Sequence, residues 1–514
     1  MLTIKLDNIE ITVPAGTTIL KAAEKAGIII PTMCFNESVP NHASCMVCAV
    51  KNNISGEFIP SCESKVQEGM DIKCSTPEVI EFRKDSLELL LSDHVGDCEA
   101  PCRVGCPAFM DIPQMNRLIA KGEFSKALEI VKEEIALPLI LGYICSAPCE
   151  GACRRKQTGS SVTICQLKKF VALEDSKIGK YYLPDKLNKT GKKTAVIGAG
   201  LAGLSASFHL LKYGYSCVIF DKNKEAGGSL LNVPENELPK YILETEIEIL
   251  KQLGAEFRLN SDVTFDLIKN DFDAVIIASG ENSKYANLEI NEDTFTTNES
   301  KLFACGAVMH PVKMAVRAGA QGKASAHSVH SFLSGKIPQK QKRQFNSRFG
   351  KLNEQEISEY MKESIPGESK EPQNGVLPGF NREEAIAEAM RCLRCDCRKS
   401  KTCKLRLNSD HYNVNQQKYK LAERNKIRKH FQKEILVYEP EKCIKCGLCI
   451  EIVKRNNDLT GLAYIGRGFD IHIDIPFNKP LEQAVADAAI DCINACPTSA
   501  LSGFAGESGN VLPD

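Results

Sequence analysis

Net charge is the first thing this chain of 514 residues lacks: 65 lysines and arginines stand against 65 aspartates and glutamates. Without a surplus of positive charge there is no electrostatic footprint for nucleic acid or for an anionic membrane surface. Long apolar runs are missing too, since none approaches the roughly 18 residues of a membrane span. The opening MLTIKLDNIEITV is too polar for a secretory signal. The expectation is a cytoplasmic protein with no membrane span and no nucleic-acid partner. No nucleophile, general base or substrate pocket can be read from the sequence either. The length allows several domains, because one core rarely grows beyond about 250 residues.

Cysteine is plentiful, with 23 residues, and most are clustered. In a chain with no secretory signal, clustered cysteines point to metal more than to disulfides. The first group runs Cys34-x10-Cys45-x2-Cys48-x13-Cys62. A tight loop plus one more thiol suits a [2Fe–2S] cluster held by four thiolates; a zinc knuckle, the alternative, more often uses two matched C-x2-C pairs. His94, Cys98, Cys102 and Cys106 then follow at a four-residue step, and Cys145, Cys149 and Cys153 repeat it before Cys165. These eight groups are the number that two [4Fe–4S] clusters require. Two later groups are Cys392, Cys395, Cys397 and Cys403, and Cys443, Cys446, Cys449 and Cys496. Cys74, Cys217, Cys305 and Cys492 stand apart; Cys217 and Cys305 read as small apolar residues of buried strands.

The chain reads as multidomain, α/β and α+β. Residues 1–80 alternate in polarity, carry one short helix, and form the [2Fe–2S] domain. Residues 81–190 are helical and hold two [4Fe–4S] clusters. Residues 191–336 open with KKTAVIGAGLAGLSASFHLLKYG, a strand, glycine turn and helix. There Gly198, Gly200 and Gly203 allow a tight turn, backbone approach to a pyrophosphate, and helix–strand packing. Asp221, 18 residues past Gly203, stands where a carboxylate meets a ribose hydroxyl. Residues 337–380 are polar and rich in glycine and proline, a linker or wrapping arm. Residues 381–514 form a C-terminal iron–sulphur region.

Four parts resemble known families. The first 80 residues, with FRKDSLELLLSDHVGDC, look like the plant-type β-grasp [2Fe–2S] domain of the large iron–sulphur subunit of complex I and its soluble hydrogenase relatives. That family holds a cluster by one histidine and three cysteines just after such a helix; His94-x3-Cys98 fits, but the next spacing does not. From Cys98 onward, APCRVGCPAFMDIP, ICSAPCEGACRR and VTICQLKKF resemble the small subunit of NADPH-dependent glutamate synthase and the amino-terminal part of dihydropyrimidine dehydrogenase. The resemblance implies one cluster on Cys98, Cys102 and Cys153 with His94, and another on Cys106, Cys145 and Cys149. The family often places a non-cysteine fourth ligand at about Lys168. A protonated lysine cannot ligate, so Cys165, one turn away, takes that role.

The nucleotide domain is similar to the FAD domain of the same flavoproteins, which adds Gly227, Gly228 and Gly306 to the cofactor-binding residues. The family has aspartate after the last of these, where this chain has Ala307. The tail resembles a bacterial-type ferredoxin module of the complex I kind, with one cluster on Cys443, Cys446, Cys449 and Cys496. Val453 stands where the second cluster would need a cysteine. The group from Cys392 to Cys403 implies a further cluster.

These resemblances imply FAD, one [2Fe–2S] and about four [4Fe–4S] clusters in an electron-transfer subunit of a larger soluble oxidoreductase of anaerobic metabolism. Partners in such a complex are an NADH-oxidising flavin subunit of the complex I type, a hydrogenase, formate dehydrogenase or other reductase, or ferredoxin. Two alternatives remain: a self-contained NAD(P)H-dependent enzyme of the glutamate synthase small-subunit type, and a zinc-stapled scaffold without catalysis. Against the first, the family's second Rossmann unit is absent. Only 21 residues, Glu281 to Lys301, occupy its place, and none is glycine. A dinucleotide-binding βαβ unit needs roughly 30 residues.

Overall fold

Alternating polarity folds the amino terminus into a hairpin, β1 (Leu2–Leu6) antiparallel to β2 (Ile9–Val13). Helix α1 (Ile19–Lys25) follows, its N-terminus capped by Thr18. With β3 (Ala49–Asn52), β4 (Phe58–Pro60) and β5 (Asp71–Lys73) the hairpin completes a five-stranded mixed sheet of order β2-β1-β5-β3-β4. Helix α2 (Pro77–Asp93) leads from this sheet to His94, its C-cap. The computed structural model describes residues 1–177, 181–281, 284–285, 288–420, 423–432, 435–456 and 461–503.

Two compact units share the chain. Unit 1 takes residues 1–99, 343–360 and 395–514, and unit 2 takes 100–342 and 361–394. Unit 2 begins with short helices, α3 (Pro101–Gly105), α4 (Ile112–Ala120), α5 (Phe124–Glu134), α6 (Pro138–Ile144), α7 (Pro148–Gly151) and α8 (Ile164–Lys177), of which α3 and α6 end at Cys106 and Cys145. A proline in the first turn of α3, α4, α6 and α7 sets each start, where a missing N–H is harmless.

The second part of unit 2 is an all-parallel sheet of order β10-β9-β6-β7-β8. Its strands are β6 (Lys193–Ile197), β7 (Ser216–Phe220), β8 (Ala255–Arg258), β9 (Ala274–Ile277) and β10 (Leu302–Ala304), the doubly wound order with its first strand central. Helices α9 (Leu201–Lys212), α10 (Lys240–Gln252), α11 (Phe265–Ile268) and α12 (Ala315–Leu333) belong to it. Between β9 and β10 the described residues form turns and isolated bridges, Ile290 with Thr297 and Thr296 with Phe303. Residues 282–283 and 286–287 of that stretch lie outside the described residues.

The region expected as a linker, 337–380, is instead built into both units. In unit 1, with α13 (Glu354–Met361), the Phe349 N–H donates to Asp97 at 3.1 Å and Arg424 donates to the Phe349 carbonyl at 2.7 Å. In unit 2, Arg155 donates to the Ile365 carbonyl at 3.0 Å and Arg391 to that of Gly367 at 3.1 Å. Composition suggested a loose arm, yet buried arginines fix its backbone. Helix α14 (Arg382–Met390), with an Asn381–Glu384 capping box, packs on α4 and α8.

Unit 1 closes with α15 (Lys404–His411), β11 (His430–Gln432), β12 (Leu436–Tyr438), α16 (Leu448–Asn456), the hairpin β13 (Ala463–Ile465) and β14 (His472–Asp474), α17 (Leu481–Val485), α18 (Ala489–Ala495) and β15 (Leu501–Gly503). Residues 504–514 of the expected C-terminal region lie outside the described residues. No helix among the described residues is long and apolar enough to cross a membrane.

Arg391 holds unit 2 together at one point. Its guanidinium, 1% exposed, pairs with buried Glu388 at 2.6 Å and donates to the carbonyls of Ser160 and Ser161. Arg391→Ala strands a buried carboxylate, so a loss of about 3–5 kcal/mol is expected in urea unfolding followed by circular dichroism. A loss under about 1 kcal/mol, the range of an exposed pair, would show that Arg391 is not the anchor.

Candidate iron–sulphur and dinucleotide sites

Unit 1 gathers three sets of soft donors. Cys34, Cys45, Cys48 and Cys62 are all buried. Cys34 meets Cys45 and Cys62, and Cys62 meets Cys48. The hydrogen bond from Cys62 brings the Cys48 thiol down to about 7. Asn41 donates to the Cys62 sulphur at 3.3 Å and to its carbonyl at 3.1 Å, fixing the loop. The second set, Cys443, Cys446, Cys449 and Cys496, lines a small cavity of about 20 Å³ with Tyr438, Leu448 and Ile473. Burial pushes the Cys443 thiol up to about 12.

The third set is His94, Cys98, Cys397 and Cys403, around a small cavity of about 10 Å³ that Lys442 also lines. The Cys397 N–H donates to the Cys98 carbonyl at 3.2 Å, and the Cys98 N–H to the Ser347 carbonyl at 3.3 Å. Burial, then the charge of Lys442, pushes the imidazole of His94 down to about 4. Its Nδ1 is buried with no hydrogen-bond partner. A neutral imidazole with an open nitrogen, among three thiols, is a ligand in waiting.

Unit 2 holds the rest. Cys106, Cys145, Cys149 and Cys165 surround the Lys168 ammonium. The Cys165 thiol, hydrogen-bonded to Cys145, brings Cys145 down to about 5. Cys102 is buried on α3, and Cys153 feels the charge of Cys392. Cys395 opens the last segment of unit 1.

The groups thus differ from the expected ones. His94 and Cys98 lie with Cys397 and Cys403 in unit 1, whereas Cys102 and Cys153 belong to unit 2 with Cys392. The four-residue step from His94 to Cys106 reads as one run but crosses a unit boundary. The missing signal was present: H-x3-C in one segment and C-x5-C in another complete a single donor set. Among the described residues no three His, Cys, Asp or Glu groups converge as ligands of a single ion do. A cluster requires donors for several irons, and the groups of buried thiols offer such donors.

The glycine turn lies between β6 and α9. A Cβ on Gly203 would fall 2.0 Å from the Gly198 carbonyl, so helix and turn close only on glycine there. A Cβ on Gly200 would have nothing nearer than Gly228 Cα at 4.0 Å, which leaves room for a phosphate to approach the backbone. Gly227 donates its N–H to the Ala199 carbonyl at 2.9 Å, and Gly306 lies against Ala202. Asp221 ends β7, but its carboxylate accepts the N–H of Ala199 at 2.7 Å and of Asn223 at 2.8 Å. Through these two hydrogen bonds it braces the turn. Cys217 is buried within β7, and Cys305 is buried one residue past the end of β10.

Residues 1–77 match the family described as "2Fe-2S iron-sulfur cluster binding domain", and residues 93–179 match "Dihydropyrimidine dehydrogenase domain II, 4Fe-4S cluster". Residues 196–260 match "NAD(P)-binding Rossmann-like domain". Over these stretches the chain is similar to dihydropyrimidine dehydrogenase domain II and to the glutamate synthase small chain. It is 38% identical to the NADP(+)-dependent formate dehydrogenase subunit beta of Moorella thermoacetica, over 35% of this chain and 29% of that one. It is 33% identical to the glutamate synthase [NADPH] small chain of Bacillus subtilis, over 36% of this chain and 40% of that one. The chain thus spans under half the length of these relatives. A crystal structure of NAD+-reducing [NiFe]-hydrogenase in the H2-reduced state is 31% identical over 21% of this chain and 42% of that one, with a TM-score of 0.18.

The regrouping predicts a pattern of losses. Cys98→Ala and Cys397→Ala should remove the same paramagnetic resonance signal of the reduced protein, and Cys102→Ala a different one. Loss of one common signal with Cys98→Ala and Cys102→Ala would restore the run read from the sequence.

Proposed function

We propose that the chain is an electron-transfer subunit of a multisubunit NAD(P)-linked oxidoreductase, with one FAD and five iron–sulphur clusters. The observation that carries this reading is one apolar core cluster of unit 1, which contains Cys34 and Cys45, Cys446 and Cys449, and Cys403 together. Cys446 lies close enough to Cys34, and Cys403 to Cys496, for their charges to interact. The Cys443–Cys496 set is therefore the middle of three. Its neighbours are the β-grasp [2Fe–2S] set on one side and the His94 set on the other. Bound clusters supply one-electron transfer, and a bound flavin links it to two-electron chemistry.

The protein's own residues exclude water from these spaces and hold the donors. Tyr438 and Ile473 close the middle cavity, and Leu91, Phe345 and Leu405 close that of His94. In unit 2, Cys106, Cys145, Cys149 and Cys165 hold one [4Fe–4S] cluster. Cys102, Cys153 and Cys392 serve another. The C-terminal set is a ferredoxin-like module with one cluster. The Rossmann unit binds FAD through the turn at Gly198, Gly200 and Gly203, with Gly227, Gly228 and Gly306 lining it. Nothing in the sequence of Glu281–Lys301 offers a second glycine turn for a nicotinamide cofactor. The catalytic partner is of the formate dehydrogenase or hydrogenase kind, and the hydride donor meets a separate subunit.

Anaerobically purified protein should be brown and carry about 18 irons with matching sulfide. Ten or fewer irons after full reconstitution would remove at least two of the proposed sites, and a colourless zinc protein would end the reading. The isolated chain should not be bleached by NADH or NADPH, while dithionite bleaches its flavin. Rapid stoichiometric reduction by either nucleotide would favour a self-contained NAD(P)H-dependent enzyme.

A further inference from the structure

Lys168 is a buried cation that the ligand sets leave unexplained. It sits one turn after Cys165 on α8, 3% exposed. Its Nζ donates to the Leu141 carbonyl at 3.0 Å and lies within hydrogen-bond reach of Cys165 Sγ, at 3.8 Å. Leu141 belongs to α6, whose C-cap is Cys145, so one ammonium ties two of the four thiol-bearing segments. Among the described residues no carboxylate forms an ion pair with it. Glu150, whose carboxyl feels the Lys168 charge, accepts the Cys165 N–H on Oε1 at 2.8 Å. The other groups facing it are the thiols of Cys145, Cys149 and Cys106.

An ammonium buried without a carboxylate is costly unless another negative charge faces it. A [4Fe–4S] cluster on four thiolates supplies that charge, and more of it when reduced. We propose that Lys168 is a positioning residue that sets the reduction potential of the cluster held by Cys106, Cys145, Cys149 and Cys165. The inference rests on that ligand set as assigned above. Its ammonium donates to the Cys165 sulphur and favours the state that carries one extra electron; no proton moves, and the lysine stays charged in both states. Hydrogen bonds to sulphur and nearby net charge are the protein's levers on such potentials. Lys169 provides a contrast on the same helix: buried as well, it donates to the Val376 carbonyl and lies over the Tyr143 ring at 4.1 Å.

The test is a dithionite-poised potentiometric titration of the full-length, anaerobically purified protein, read by paramagnetic resonance. Cys165→Ala first identifies the signal of this cluster. Lys168→Met should then lower its reduction equilibrium constant at least tenfold, about 59 mV for one electron. Lys168→Arg should hold the wild-type potential, and Lys169→Met should leave it unmoved. An unshifted midpoint in Lys168→Met, with the signal intact, overturns the inference alone. If Cys165→Ala removes no signal, the ligand set fails and the inference goes with it. If Lys168→Met loses the cluster, wild-type protein carrying 15N at the lysine side-chain nitrogen decides. A lysine 15N coupling in this signal supports the proposal, and its absence overturns it.

Discussion

One backbone hydrogen bond, from the Cys397 N–H to the Cys98 carbonyl at 3.2 Å, joins stretches of chain that the whole of unit 2 separates in sequence. The His94 donor set exists only because of that return. The junction is braced on both sides: Ser347 accepts from the Cys98 N–H, and Arg406 pairs with Glu99 at 2.6 Å, both side chains 5% exposed. Arg406 also donates to the Phe345 carbonyl at 2.9 Å, so the middle segment of unit 1 is held at the same place. Closing a long loop costs little more than closing a shorter one, about 0.6 kcal/mol per doubling of length. A donor set can therefore be interrupted by an entire flavin module, provided the module's two ends lie side by side.

That return also marks the boundary of what the sequence disclosed. Donor sets whose members lie on one loop, such as Cys443, Cys446 and Cys449, were legible because spacing and proximity coincide there. The glycine turn was legible for the same reason, with strand, turn and helix in a single run. The His94 set was not, since its two halves share no sequence neighbourhood. The even four-residue step from Cys98 to Cys102 and Cys106 imitated local ligation across a point where the chain changes unit. Periodicity records helical faces, and it cannot record where a chain leaves one core for another.

Residues 337–380 were misleading for a different reason. Glycine, proline and charged residues read as a solvated linker because composition counts side chains, whereas here the backbone is what is bound. Arg155 and Arg391 satisfy carbonyls of Ile365 and Gly367, and Arg424 those of Phe349 and Lys351. Asp221 follows the same logic in reverse, its carboxylate engaged by the N–H groups of Ala199 and Asn223. A carboxylate oxygen retains further lone pairs, so bracing the turn does not by itself remove it from a ribose. Its first duty, however, is structural, and only the hydrogen bonds reveal it.

The overall neutrality of the chain conceals an internal division of charge. Some buried bases are balanced by acids, as Arg391 is by Glu388 and Lys442 by Glu439 at 2.6 Å. Others form no ion pair among the described residues and donate to carbonyls, as Lys132 does at Tyr182 and Lys169 at Val376. Lys168 donates to a carbonyl too, that of Leu141, but the charges that act on it most are those of thiols. Lys442, although paired, lines the His94 cavity as well, with Cys397 in its field. A buried cation is thus present beside donor sets in both units, where an anionic cluster would bring negative charge into a space closed to water. Charge that would be prohibitive in an empty apolar cavity becomes mutually stabilising once both partners are present, so cluster assembly and the settling of these helices are expected to be coupled.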